Sequence, residues 1–263
     1  MATIHMNFRS DCISRSVYPM VFLPDLNMWR DVEPPYPTLY FLNGYSGGGT
    51  ETAMFTNIAL YAMRYGVAVV LPDGENSFYV DDEKRGAMFS RFVGEELVEV
   101  TRSVLPLSAR REDTWIGGIS MGGYGALVNG LRFSERFSKI GMLSPALGLR
   151  RPEAPAAPTE EEHLIPEGEL LETLGSWETY QGSYRDYESA LRRMTAEGKD
   201  VPEMLLAIGR EDFLWKAALD FRETCGALRA PLRWYEGPGA HDHTFWKQAM
   251  DPLFQFLTGK EDA

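Results

Sequence analysis

The chain has 263 residues, of which 44% are hydrophobic and 24% are charged, and its formal net charge is −12. This length and composition are typical of a folded globular protein and exclude a disordered or fibrous chain. The negative charge also disfavours binding to a nucleic-acid backbone or to an anionic membrane, because both would repel it. We therefore expect neither of these partners.

The cysteine content and the N-terminus indicate the cellular compartment in which the protein is expected. Two cysteines, Cys12 and Cys225, are too few for a disulfide framework or a zinc site, so free thiols are expected, although one bridge would fit the count. The polar N-terminus lacks the apolar run of a signal peptide, and no stretch reaches the ~18 apolar residues of a membrane-spanning helix. These features predict a cytoplasmic protein and leave homo-oligomerisation open.

The predicted elements alternate between short apolar strands and longer helices. Strands are expected at residues 17–23, 38–42, 67–71, 114–119, 139–144, 204–209 and 232–235. Helices are expected at residues 51–64, 89–105, 122–132, 184–196, 212–228 and 244–257. Near-continuous apolar strands separated by helices are typical of a parallel sheet covered on both faces. The pattern predicts an α/β fold with a mostly parallel, doubly wound sheet, whose first strand or two pair antiparallel at its edge.

One segment, residues 150–182, interrupts this alternation. It contains the stretch RRPEAPAAPTEEEHLIPEGE, which is rich in proline and glutamate. It is either a surface linker or a small lid over a site at the edge of the sheet, and its position beside that edge favours the lid. Since no internal repeat or second core is evident, the sequence predicts a single domain over residues 1–263 with a lid insertion at 150–182.

Residues 118–122, GISMG, match the pattern G-x-S-x-G. In this pattern the serine lies on a sharp turn between a strand and a helix, and the glycines allow chain segments to approach where a Cβ would clash. Five residues alone recur by chance as a glycine-rich structural turn. Here a predicted strand precedes Ser120 and a predicted helix follows it, so the context predicts a nucleophilic serine.

A nucleophilic serine needs a base, and the base needs a carboxylate that orients it. In proteins with this motif, the catalytic residues follow one another along the chain in the order Ser, Asp or Glu, His. Glu211 and Asp212 come directly after the strand at 204–209, and both qualify, although Asp212 could instead cap the next helix. Among four histidines, His241 and His243 are the well-placed bases, since they follow the last strand. As a metal-binding pair they would lack further ligands of suitable spacing.

Acyl transfer through a serine also needs two N–H donors for the oxyanion of the tetrahedral intermediate. The residue after the nucleophile, Met121, supplies one of them. The glycine-rich loop at residues 43–49 suits the second, with the N–H of Tyr45 as our choice. A phosphate cradle is the competing interpretation, but neither glycine-rich loop completes a nucleotide-binding pattern. We expect no cofactor and no metal.

Other side chains are candidates for the substrate pocket. Asn76 and Tyr79 lie in a segment that follows a predicted strand, and an ordinary loop is an equal alternative. Trp215 and Trp246 begin helices beside the acid and the base, so they could form the wall of an acyl pocket or simply pack in the core.

Seven motifs, in order, resemble the esterase D-like branch of the α/β-hydrolases, especially the bacterial tributyrin or acetyl esterases. They are TLYFLNGYSGG, VVLPDGENSFYVD, GEELVEV, GISMGGYGAL, FSKIGMLSPAL, IGREDFLW and PGAHDHTFW. The resemblance covers nearly the whole chain. It implies an α/β-hydrolase fold and a serine carboxylesterase that cleaves short acyl esters, sometimes on sugars or phenolic acids.

The resemblance also selects among the candidate residues. The family's base matches His241, its acid matches Asp212, and its second oxyanion donor matches Tyr45. His243 then stands at a position that is usually aromatic, and Asn43 stands where relatives usually carry histidine. The alternatives are an S-formylglutathione hydrolase, an acyltransferase like the mycolyltransferases, and a catalytically inactive binding module.

Overall fold

The computed structural model describes residues 1–24, 32–148 and 165–260. The strands of this part are β1 (Ala2–His5), β2 (Phe8–Ser10), β3 (Arg15–Val17), β4 (Met20–Leu23), β5 (Thr38–Leu42), β6 (Ala68–Leu71), β7 (Asp81–Asp82), β8 (Ala87–Met88), β9 (Thr114–Ile119), β10 (Lys139–Leu143), β11 (Glu203–Gly209) and β12 (Leu232–Gly237). Its helices are α1 (Gly49–Thr56), α2 (Ile58–Tyr65), α3 (Phe89–Arg91), α4 (Leu97–Val104), α5 (Met121–Arg132), α6 (Glu167–Leu174), α7 (Trp177–Tyr180), α8 (Tyr187–Ala196), α9 (Trp215–Leu228) and α10 (His243–Thr258). None of these helices is both long enough and apolar enough to span a membrane.

The central sheet has eight strands in the order β1-β4-β6-β5-β9-β10-β11-β12. From β6 to β12 every neighbouring pair is parallel. The strands β1 and β4 pair antiparallel at one edge. The predicted mostly parallel sheet with an antiparallel edge is therefore confirmed.

Helices cover both faces of this sheet, because its central strands are apolar on both sides. Within β9, Ile116 faces the core layer beneath α4, α5, α8 and α9, whereas Trp115 and Ile119 face the layer beneath α2 and α10. All six residues of β9 are buried. This double covering is the arrangement that near-continuous apolar strands predict.

Two predicted elements are divided in the structure. The predicted strand at 17–23 is interrupted at Pro19, which has no N–H to donate to a strand ladder. Its first part is β3, which pairs with β2 in a separate hairpin, and its second part is β4. The predicted helix at 51–64 consists of α1 and α2, because Asn57 between them adopts φ 56°, a left-handed conformation that ends a helix.

Two other predicted helices also differ from the expectation, and the predicted lid is described only in part. The helix predicted at 89–105 contains a π-helical turn, Phe92–Glu96, between α3 and α4. The helix predicted from Asp212 begins only at Trp215, so Asp212 lies in the preceding loop. Within the predicted lid at 150–182, residues 150–164 lie outside the described residues, and the remainder forms α6 and α7.

Candidate active site

Ser120 occupies the turn between β9 and α5. Its backbone angles are φ 54° and ψ −115°, which is a strained conformation for a residue with a side chain. The turn is held by the backbone: the Ser120 N–H donates to the carbonyl of Leu143 (2.9 Å), and the Ser120 carbonyl accepts from the N–H of Ala146 (3.0 Å). The Ser120 side chain is thereby fixed at the carboxyl edge of the sheet.

The glycines on either side of Ser120 are required by close packing of the backbone. A Cβ on Gly122 would lie 2.2 Å from the carbonyl oxygen of Leu42, and one on Gly118 would lie 2.4 Å from that of Gly122. Atoms at such distances overlap, and a backbone carbonyl cannot rotate away as a side chain can. The steric reason for the G-x-S-x-G pattern is therefore present at both positions.

Three side chains from three loops form one hydrogen-bonded chain. His241 Nε2 lies 2.9 Å from Ser120 Oγ, and His241 Nδ1 lies 3.0 Å and 3.1 Å from the two carboxylate oxygens of Asp212. The Asp212 side chain is fully buried and that of His241 is 12% exposed. Because a carboxylate only accepts, Nδ1 carries the proton and Nε2 turns its lone pair towards the serine.

Local contacts bring the acid and the base together. The N–H of Leu214 donates to Asp212 Oδ1 (2.9 Å), which fixes the carboxylate. The loop that carries His241 is tied to the acid loop, since Glu211 accepts from the N–H of Gly239 (2.5 Å) and donates its own N–H to the Gly239 carbonyl (3.0 Å). Of the two candidate acids, Asp212 thus faces the histidine and Glu211 holds the loop.

His243 lies outside this chain. Its ring stacks on Phe55 at 4.2 Å between centroids and meets the ring of Trp246 edge-on at 5.0 Å. His243 Nδ1 is buried without a hydrogen-bond partner among the described residues. The structure therefore brings His241, and not His243, to Ser120.

The two amides predicted to bind the oxyanion lie on either side of the serine. Met121 is the first residue of α5, and the loop of Tyr45 is close enough that a Cβ on Gly44 would lie 3.6 Å from Ser120 Cβ. Within residues 1–24, 32–148 and 165–260, neither the Tyr45 nor the Met121 N–H donates to a protein acceptor. Among these residues, no protein acceptor therefore occupies either donor.

The side chain of Asn43 supports the loop of Tyr45 from below. Its Nδ2 donates to the carbonyls of Gly44 (2.8 Å) and Gly47 (2.9 Å). Its Oδ1 accepts from the N–H of Gly74 (3.0 Å) and from the hydroxyl of Tyr79 (2.8 Å). Burial holds the pKa of Tyr79 well above its usual value, so this hydroxyl remains a donor. Tyr79, predicted as a pocket residue, instead lies fully buried beneath the loop.

Two further side chains hold the same loop from outside. Asn76 Oδ1 accepts from the N–H of Ser46 (2.9 Å), so Asn76 also serves the loop rather than the pocket predicted for it. The hydroxyl of Tyr45 donates to Glu169 of α6 (2.6 Å). Burial, and then the neighbouring Glu169 carboxylate, raise the pKa of Tyr45 to about 12, so the hydroxyl stays protonated at neutral pH. No motif in the sequence signals Glu169, because its partner lies 124 residues away.

A cavity of about 370 Å³ opens beside Ser120. Polar side chains of α1, Glu51, Thr52 and Thr56, line one side. Its apolar lining consists of Ile119, Ala146, Ile165, Leu170, Phe213, Leu214 and Trp246.

The two predicted tryptophans have different places relative to this cavity. Trp246 lies in its wall and donates its indole N–H to Ser144 Oγ (3.1 Å). Trp215 is not among the lining residues, because its ring turns away and packs edge-on against Trp234 at 5.9 Å. Phe213 and Leu214, just before it in the chain, line the cavity in its place.

Comparison with known proteins identifies the family of this chain. The model of the family described as "Putative esterase" matches residues 10–256. The chain belongs to this esterase family. The acetyl esterase of Caldicellulosiruptor saccharolyticus is 34% identical over 268 residues, an alignment that covers 100% of both chains.

Solved structures of serine hydrolases are also similar to this chain. A fluorophosphonate-binding serine hydrolase of Staphylococcus aureus superimposes with a TM-score of 0.84 at 27% identity, covering 98% of this chain and 99% of that one. An S-formylglutathione hydrolase of the same species gives the same TM-score and identity and covers 98% of each chain. The esterase described here is thus a serine carboxylesterase with the α/β-hydrolase fold, and the predicted family and fold class are confirmed.

Proposed function

We propose that this esterase hydrolyses short-chain acyl esters through an acyl-enzyme, with Ser120 as nucleophile, His241 as base and Asp212 as the residue that orients the base. The observation that carries the proposal is the hydrogen-bonded chain from Ser120 through His241 to Asp212, beside two backbone N–H groups that have no acceptor among the described residues. A serine hydroxyl becomes a strong nucleophile only when such a base accepts its proton.

The first half of the reaction forms the acyl-enzyme. His241 Nε2 takes the proton of Ser120 as Oγ bonds to the carbonyl carbon, and the carbonyl oxygen becomes an oxyanion between the N–H groups of Tyr45 and Met121. When the carbon–oxygen double bond reforms, the bond to the alcohol oxygen breaks. The alcohol leaves with the proton that His241 had taken.

The second half returns the free enzyme. His241 takes a proton from a water molecule, whose oxygen attacks the acyl carbon and forms a second oxyanion in the same place. The bond to Ser120 Oγ then breaks, and His241 returns the proton to the serine. Throughout, the Asp212 carboxylate stabilises the positively charged ring of His241 and holds its tautomer.

Two observations support short acyl chains. A cavity of about 370 Å³ that also accommodates the reacting ester group leaves limited room for a long chain. The relative that covers the whole chain is described as an acetyl esterase.

Ile165 and Leu170 line the cavity, which supports the further proposal that the insertion forms a lid within one domain. Both cysteines are free thiols, which suits the cytoplasmic location proposed here.

Replacing Ser120 by alanine tests the proposal. We expect kcat for 4-nitrophenyl acetate to fall by about 10⁴-fold or more, because the remaining residues supply no nucleophile. Ser103→Ala, on the exposed side of α4, is the matched control and should keep the rate. Retention of most of the activity in Ser120→Ala would contradict the proposal.

The proposed base is tested by a pair of variants two residues apart. His241→Ala removes the proton acceptor and should lose about as much rate as Ser120→Ala, because these residues act as a unit. His243→Ala removes only a ring of the cavity wall, so covalent labelling of Ser120 by a fluorophosphonate should persist. The opposite pattern would assign the base to His243.

S-formylglutathione hydrolysis is the second candidate, because a structure with that description matches nearly the whole chain at 27% identity. It would use the same residues on a thioester. Parallel measurement of kcat/KM for S-formylglutathione and for a panel of acetyl and longer acyl esters separates the two. A higher kcat/KM for S-formylglutathione than for every ester would favour this second function.

A further inference from the structure

The two proposed oxyanion donors differ in what orients them. The Met121 N–H is fixed by the first turn of α5, whereas the Tyr45 N–H lies in an irregular loop. The Tyr45 N–H shares a trans peptide bond with the carbonyl of Gly44. Because a trans peptide group is planar, its C=O and N–H point in opposite directions. Whatever holds the Gly44 carbonyl therefore also sets the direction of the Tyr45 N–H.

That carbonyl is held by Asn43. It accepts from Asn43 Nδ2 (2.8 Å) and from the N–H of Gly47 (3.2 Å). The second hydrogen of Nδ2 goes to the Gly47 carbonyl (2.9 Å), so one amide group fixes both ends of the short turn. The turn cannot rotate its Gly44 carbonyl without breaking these bonds.

The orientation of the Asn43 amide is itself determined by its surroundings. Asn43 is fully buried, and its Oδ1 faces two donors, the N–H of Gly74 and the hydroxyl of Tyr79. A flipped amide would place its oxygen against two carbonyls and its NH₂ against the Gly74 N–H. All four hydrogen bonds that an asparagine amide commonly forms are satisfied only in the observed orientation.

We propose that Asn43 is a positioning residue that aims the Tyr45 N–H at the oxyanion by holding the Gly44 carbonyl on the opposite side of the peptide. The inference rests on the proposed function, in which Tyr45 supplies an oxyanion donor. A donor stabilises the tetrahedral intermediate only when it is aimed at the place where the oxyanion forms. Loss of Asn43 therefore reduces binding of the transition state and spares binding of the substrate.

Asn43→Asp is the decisive variant, and Asn76→Asp is its matched control. The aspartate at 43 has nearly the same shape but places a carboxylate oxygen against the Gly44 and Gly47 carbonyls, so both donors are lost. Asn76 contributes to the same loop as an acceptor, towards the Ser46 N–H, and an aspartate keeps that role. Both variants thus add a negative charge near the same loop, fully buried at position 43 and half-buried at position 76. Asn43→Ser, smaller and uncharged, repeats the test without a buried charge.

Three measurements distinguish a role of Asn43 in orienting the Tyr45 N–H from a general role in stabilising the fold. The first is the division of any loss between kcat and KM for a short acyl ester. The second is inhibition by an alkyl trifluoromethyl ketone: Ser120 Oγ bonds to the ketone carbon, the carbon–oxygen π bond becomes an oxyanion, and the serine proton moves to His241. The third is inhibition by the alcohol of the same carbon skeleton, which binds without forming a tetrahedral adduct.

For Asn43→Asp and Asn43→Ser we expect kcat to fall by about 10- to 100-fold and ketone binding to weaken by the same factor, somewhat less than the loss of a whole donor. KM and binding of the alcohol should stay within about twofold, since neither depends on the oxyanion. Asn76→Asp should match the wild type in all three measurements.

The inference is overturned if either Asn43 variant is folded and keeps wild-type kcat and ketone binding, or if it loses ketone and alcohol binding equally. It is also overturned if both variants fail to unfold cooperatively, because Asn43 would then serve folding alone. Failure of the proposed function gives a different pattern: the wild type would not bind the ketone covalently, or Ser120→Ala would keep its activity.

Discussion

The two loops that face the proposed oxyanion are held in opposite ways. The nucleophile turn after β9 is held almost entirely by backbone: Ser120 bonds through its own N–H and C=O, and Gly118 and Gly122 pack directly on neighbouring carbonyls. The loop after β5 is held mainly by side chains, one of its own and three from elsewhere in the chain. These side chains are Asn43, Asn76, Asp73 and Glu169.

This contrast follows from what each loop has to do. The proposed nucleophile, Ser120, has a strained φ of 54°, and only a turn that is held by its whole surroundings can keep a non-glycine residue there. In the proposed mechanism the second loop supplies a single N–H, which a few hydrogen bonds can orient. We therefore expect almost any substitution in the first loop to lower the activity strongly. In the second loop, we expect the loss of activity to depend on which hydrogen bond is removed.

A pair of glycine substitutions gives the largest expected difference between the loops. Gly122→Ala would place a Cβ 2.2 Å from the Leu42 carbonyl, so backbone must move, whereas a Cβ on Gly47 meets only atoms at 3.4 Å or more. Since a displacement of about 1 Å at a catalytic group can cost about 100-fold in rate, we expect at least that loss in Gly122→Ala. Gly47→Ala should stay within about threefold.

The measurement is kcat/KM for a short acyl ester, with circular dichroism to report whether each variant is folded. A Gly122→Ala protein with wild-type activity would show that the nucleophile turn can relax, and the contrast between the loops would be lost. A large loss in Gly47→Ala would show that the second loop is as tightly packed as the first.

The same contrast explains which parts of the site could be predicted from the sequence. Features fixed by local chain geometry were predictable: Ser120 lies in a strand–turn–helix context, and Asp212 and His241 each follow a strand of the same parallel sheet. Carboxyl ends of parallel strands meet at one edge, so the order of the motifs implies their proximity. The choice of His241 over His243 needed the family resemblance, because both lie in one loop.

Features fixed by distant side chains could not be predicted. Tyr79 and Asn76 follow a strand end, as pocket residues often do, but the segment folds beneath the loop of Tyr45 and contributes hydrogen bonds to it. Glu169 lies 124 residues from its partner, in the segment that the sequence predicted to be a lid or a linker. For Trp215 the two alternatives, pocket wall and core packing, could not be separated, because the sequence does not reveal which side of a helix start faces the cavity.

Removing the Tyr45 hydroxyl should have an intermediate effect. Tyr45→Phe loses the 2.6 Å hydrogen bond to Glu169 but keeps the backbone N–H, so kcat should fall by only about three- to tenfold. The free energy of unfolding should fall by about 1 kcal/mol, the usual contribution of one such bond. Urea unfolding and steady-state kinetics on the same preparations measure both quantities.

Glu172→Gln is the matched control for that variant. Glu172 lies on the same helix, α6, and pairs with Arg85, but both side chains are about 60% exposed. An exposed pair contributes about 0–1 kcal/mol, and the partner of Glu172 is Arg85 and not a residue of the Tyr45 loop, so kcat should not change. If Glu172→Gln lowered kcat as much as Tyr45→Phe, the effect would belong to docking of α6 as a whole and not to the Tyr45 hydroxyl.

The smallest effect is expected for His243, which supports neither loop. Its contacts are ring contacts with Phe55 and Trp246, and a phenylalanine can retain both. His243→Phe also removes a buried nitrogen that has no partner among the described residues, so the free energy of unfolding should stay equal or rise slightly. With His241, Asp212 and both amides intact, kcat should remain within about threefold of wild type. A loss of 100-fold or more would show that His243, a side chain of the cavity wall, takes part in proton transfer. The comparison of the two loops would then leave out a residue that is essential for the reaction.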